Sequence, residues 1–212
     1  MSQQPFGPGD TLGPAPVPAQ HADLARRLRA AEDRLFPLAM VDADRYQAAT
    51  RLVGLLARRL AESCRSLDEL AGADVELRVW LGLTAREHDI PLGGLDADLV
   101  IEAAMSQRFR GILAEQAAEL QRQLLDRAKA AGQTWAVLEE PDTASWGSGA
   151  ARWLEMHVDT GALMVRSVVA DPATGTPRYH LEVTGDGVQV QEFTDRDAWL
   201  AAAERIRSAS ES

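Results

Sequence analysis

The sequence predicts an α+β protein: an N-terminal helical, bundle-like half followed by a four-stranded antiparallel β-meander packed by a C-terminal helix. Two observations carry this reading. Up to Gly132 apolar residues recur at steps of three and four, the spacing of one helix face; beyond it they alternate at steps of two between short turns that carry glycine. Composition sets the class, because 46% apolar and 25% charged residues over 212 positions suffice for a packed core.

Residues 1–19 hold half of the ten prolines, with Gly7, Gly9 and Gly13 between them, and are expected to form a disordered arm. Residues 20–132 then make the helical domain, and residues 133–212 the sheet with its helix. Leu24, Leu28, Ala31 and Leu35 place one stripe on a first helix, which Pro37 is expected to end. Asp42 and Asp44 precede a second helix with Tyr46, Ala49, Val53, Leu56 and Leu60 on one face and Arg51, Arg58 and Arg65 on another. The two should pair as an antiparallel hairpin.

Ser66 with Glu69 has the capping-box form, so a short third helix begins there and Gly72 interrupts it. The next stretch stays open: Val75, Leu77, Val79 and Leu81 alternate like a strand, while Leu70, Leu77, Trp80 and Thr84 suit a helix equally well. After Pro91, Gly93 and Gly94, apolar residues from Leu99 through Met105, Phe109 and Ile112 to Leu124 sketch a long helix that Gly132 terminates.

Thr134 to Leu138 is short and β-prone, and Glu139 to Gly149 reads as a polar loop. The four strands are Trp153 to Val158, Leu163 to Ala170, Arg178 to Thr184 and Val188 to Phe193, joined by connections such as Asp159-Thr160-Gly161 and Gly185-Asp186-Gly187. Their alternation implies one covered face and one wet face. The cover is a last helix opened by Thr194 and Asp197 and carrying Trp199, Leu200, Ala203 and Ile206.

A net charge of -10 argues against nucleic acid or an anionic membrane surface as the partner. Charge is uneven, however: Leu24 to Arg65 carries nine arginines against five carboxylates, an excess that the acidic remainder of the chain is expected to absorb. No segment approaches the roughly 20 apolar residues of a membrane span. The single cysteine, Cys64, cannot form an intrachain disulfide, and the first residues lack a basic and apolar leader, so a cytoplasmic address is expected. Lys129 alone against 21 arginines fits a GC-rich bacterial genome.

Candidate chemistry is sparse. The pairs Asp42/Asp44, Asp96/Asp98 and Asp195/Asp197 resemble oxygen ligands for a cation, yet each stands where a helix needs a cap. Glu155 and His157 alternate with apolar residues on one strand, as His180 and Glu182 do on another, and together would suit a metal ion or acid–base chemistry. His88-Asp89 and Gly147-Ser148-Gly149 lack the companions that a metal centre, a phosphate loop or a nucleophile elbow requires. Trp146, in the polar loop, would make an aromatic anchor.

The leading expectation is therefore a non-catalytic adaptor or regulatory protein, with no cofactor, that contacts another protein through Arg51, Arg58, Arg65 and Trp146 or through the sheet edge. Self-association is left open. The alternative is a small enzyme or ligand- or metal-binding protein with its site at His157, His180, Glu155 and Glu182.

Overall fold

A computed structural model describes residues 15–141, 150–185 and 187–209 of the chain. The backbone divides into two compact units, Gly13–Ala117 and Ala118–Ser212. The division falls inside a long helix, upstream of Gly132. The arm expected over residues 1–19 lies outside the described residues up to position 14; Ala15 is already packed against the helical core.

In the first unit a short 3-10 turn, Ala19–His21, leads into α1 (Ala22–Val41), α2 (Ala43–Ser63), α3 (Leu67–Gly72), α4 (Asp74–Glu87) and the start of α5 (Ala97–Ala130). The predicted stripes are the buried ones: Leu28 of α1 meets Ala49, Val53, Leu56 and Leu60 of α2 in one core with Val100, Met105 and Ile112 of α5, and Ala31 of α1 is buried too. Each fully buried Leu or Ile side chain in such a core contributes about 1.5–3 kcal/mol of apolar transfer.

Pro37 does not end α1, which continues to Val41. A proline there deprives only the Asp33 carbonyl of its partner; Asp33 and Pro37 are both exposed, so water can take the missing donor's place. The open stretch resolves as helix: Leu77 and Leu81 of α4 face the core, and Val75 and Val79 face solvent. The capping box at Ser66 and Glu69 is present, with Gly72 the last residue of α3. Gly132, at φ 69°, closes α5 as expected: the Gln133 amide donates back to Ala128 O at 2.9 Å.

In the second unit the sheet has five antiparallel strands, not four, in the order β1 (Trp135–Glu139), β2 (Ala150–His157), β3 (Leu163–Ala170), β4 (Pro177–Thr184) and β5 (Val188–Phe193). The added strand is the β-prone Thr134 to Leu138 stretch, whose Trp135 pairs with His157 and whose Ala136 pairs with Met156. The last helix, α6 (Arg196–Ala209), packs on β4 and β5.

Register corrects the expectation of one wet face. Glu155 pairs with Met164, and Met164 with Val183. Directly paired residues share a face, so the apolar row Tyr179, Leu181, Val183 of β4 continues through Glu155 and Trp153 of β2. Leu154 and Met156 belong to the other face. The first face carries Trp135, Met164 and Leu181 under Trp199, Ala202 and Ala203 of α6. The second carries Ala136, Leu138, Leu154 and Met156 under Leu124, Leu125 and Ala128 from the end of α5. Both faces are thus covered over part of the sheet. Among the described residues no helix is long and apolar enough to cross a membrane.

Candidate interaction surfaces and the histidine pair

The four residues of the alternative site are split between the two sheet faces. Glu155 and His157 lie on the face under α6, whereas His180 pairs with Ser167 and Glu182 with Val165, on the face opposite. Both imidazoles therefore cannot reach one ion or one substrate atom.

Glu155, His157 and His180 each have a local partner. Nδ1 of buried His157 accepts the amides of Asp159 and Thr160 at 3.2 Å, which closes the β2–β3 turn and leaves the ring hydrogen on Nε2. Its ring meets Trp135 edge-on at 5.2 Å. His180 Nδ1 stands 3.8 Å from Glu192. Oε1 of Glu182 is buried with no hydrogen-bond partner. Among the described residues no group of three or more His, Cys, Asp or Glu side chains is placed to hold a metal ion.

Glu155, only 2% exposed, is the centre of a charge cluster that sequence reading missed. Arg166 of β3 donates to its Oε1 at 2.6 Å, and Arg207 of α6 donates to both carboxylate oxygens at 2.6–2.9 Å. Burial alone would lower the Arg207 pKa, but the hydrogen bonds and charge of Glu155, with Glu204, hold it above its usual value. Arg166 also lies 5.4 Å from the Trp153 ring and 5.8 Å from the Trp199 ring. The cluster ties α6 to the sheet, and Trp199 adds an indole hydrogen bond to His180 O at 2.9 Å. The alternation of β3 carried a weak signal: Arg166 interrupts an apolar strand, and a cation there needs a counterion.

The first carboxylate of each Asp-x-Asp pair is a helix cap. Asp42 accepts the Arg45 amide, Asp96 the amides of Asp98 and Leu99, and Asp195 the Ala198 amide, at 2.8–3.2 Å. Cys64 is buried, with its carbonyl held by Arg108 Nε at 2.9 Å. His88 and Asp89 follow the end of α4, Asp89 at a positive φ of 51°. Trp146 and the Gly147-Ser148-Gly149 turn lie outside the described residues.

Most arginines of the helical unit are paired internally: Arg26 with Asp23, Arg27 with Asp74 and Glu102, Arg34 with Asp96, Arg45 with Asp42, Arg59 with Glu87, Arg78 with Asp98, Arg108 with Glu115 and Arg110 with Glu32. Arg51, Arg58 and Arg65 differ. Arg51 and Arg58 lie opposite the buried face of α2, whereas Arg65, expected on the same helix face, falls beyond the end of α2 at Ser63; all three are exposed and make no ion pair among the described residues.

A groove of about 250 Å³ between α1, α2 and α5 is lined by Leu35, Phe36, Tyr46 and Val53 and by the already paired Glu32 and Arg110. It is below the usual size of a small-molecule pocket and brings no nucleophile to a base.

The two edges of the sheet are unlike. On β1 the register shifts between Val137 and Glu139, and Pro141 follows two residues later, both of which discourage further pairing. β5 has neither device. Its pairing with β4 is regular, its one charge is Glu192, and Val188 and Val190 are 51% and 60% exposed. Among the described residues no strand pairs with its outer edge. No protein-family model, curated protein or solved structure matches this chain, so a functional reading starts from these surfaces.

Proposed function

We propose that this chain is a non-catalytic protein-binding protein, an adaptor or regulator, that takes an extended segment of another protein onto the open edge of β5. The observation that carries this is the contrast between the edges: a regular, nearly uncharged strand with two exposed valines at one side, a bulged strand followed by proline at the other. Free amides and carbonyls along such an edge supply main-chain affinity, and alternate side chains supply selectivity. Exposed Arg51 and Arg58 on α2, with Arg65 beyond its end, are a second contact for acidic partner residues. A bacterial cytoplasm suits the free thiol of Cys64.

The test begins with a partner recovered from the source organism and purified. Its affinity is then measured for the wild type, for Val190→Lys, which places a charge on the strand edge, and for Arg51→Glu/Arg58→Glu. Binding lost with Val190→Lys, while the variant keeps the wild-type circular dichroism, supports edge pairing. Unchanged affinity with Val190→Lys overturns it, as does a turnover reaction that requires His157 or His180.

A further inference from the structure

We infer that the outer face of α4 is a self-association surface, on which α4 of a second copy packs antiparallel. The helix is apolar on two sides. Leu77, Leu81 and Ala85 enter the core, and on the opposite side Val75, Val79 and Leu83, at steps of four, are 76%, 59% and 44% exposed. An isolated exposed valine needs no explanation, but a contiguous stripe along one helix marks a contact surface.

The charges beside this stripe select the occupant. Glu76 and Arg86 flank it towards its two ends, both exposed and both without an ion pair among the described residues, while Arg78 and Glu87 are taken by Asp98 and Arg59. In an antiparallel pair related by a two-fold axis near Leu81, Val79 lies across from Leu83 of the second copy. The same axis sets Glu76 across from Arg86, and each contact occurs twice. A two-fold interface requires this self-complementary order, and an unrelated helix would have no reason to match it. Antiparallel helix dipoles add to the fit. The close approach is helped by Gly82 of α4, beside which a Cβ would meet open space. One helix pair is a small interface, so the dimer is a weak, concentration-dependent one.

Sedimentation equilibrium of the full chain over roughly 1–500 µM, the range in which a micromolar constant is read, tests this. The wild type should shift from monomer to dimer. Val79→Glu, at an exposed position, should raise the dissociation constant by about tenfold or more, because it sets like charges into an apolar contact. Glu76→Arg and Arg86→Glu should each weaken the dimer, and the double variant should restore it. A monomer throughout the range overturns the inference. So does a dimer indifferent to Val79→Glu, and its loss instead with Val190→Lys would assign the contact to β5.

Discussion

At the start of α3, Glu69 folds back so that its carboxylate accepts the amides of Arg65 and Ser66, and those donors hold its pKa below 4.5. Glu115 is lowered by its two hydrogen bonds from buried Arg108, and Asp171 by the amide of Ala173 and by Arg178 at the β3–β4 turn. In all three the folded pKa lies below the unfolded one. Their stabilisation is complete above the unfolded values of 4.5 and 3.8 and is lost as pH falls through the lower folded values. The wild-type urea midpoint should therefore drop as pH falls below about 5, and Glu115→Gln should be less stable at neutral pH with a shallower acid loss. An unchanged acid slope in Glu115→Gln would remove the Arg108 pair from this account. These carboxylates differ in legibility. Asp42, Asp96, Asp195 and Glu69 could be read as caps because capping is local in sequence. The occupation of Glu155 could not, since it depends on Arg207, 52 positions away.

At the scale of elements, α6 is held by one carboxylate more than by its own helix propensity. Trp199, Ala202 and Ala203 supply its apolar contact, but the guanidiniums of Arg166 and Arg207 converge on Glu155 beneath it. Replacing Glu155 with Ala leaves two cations in a partly dry place without a counterion. We expect a loss of about 3 kcal/mol, at the lower end for a broken buried pair because Arg207 can turn back to water. The loss should appear as a lower urea midpoint and a changed near-ultraviolet signal from Trp153 and Trp199. A Glu155→Ala protein as stable as the wild type would show that apolar packing alone fixes α6. The same scale explains one expectation that the structure overturns and one stretch that the sequence leaves open. Pro37 looked like a terminator, but a proline near the exposed end of a helix loses only one hydrogen bond to solvent. Val75 to Leu81 resisted assignment because α4 is apolar on two sides, and a second stripe on a helix mimics the alternation of a strand.

For the whole chain, the α+β order was legible because periodicity changes near Gly132, where α5 ends. What periodicity does not reveal is that the last turns of α5 belong to the sheet's core. Leu124, Leu125 and Ala128 cover Leu154 and Met156, while α6 covers the opposite face. The pairing of β2 through β3 to β4 decides which apolar row faces which cover, and a shift of one residue would exchange them. For this reason His157 and His180, which share a pattern in sequence, do not share a face. The placement of α5 gives a prediction about where the chain can be cut. A fragment of residues 118–212 keeps both covers and should unfold cooperatively in urea, with dispersed amide resonances. A fragment of residues 133–212 loses Leu124, Leu125 and Ala128, exposing Ala136, Leu138, Leu154 and Met156 together. It should bind a hydrophobic dye and lose its sharp transition, because one face of the sheet is then an apolar surface open to water. Cooperative unfolding of the shorter fragment with no dye binding would mean that α6 and the strands suffice, and that the end of α5 is a passenger on the sheet.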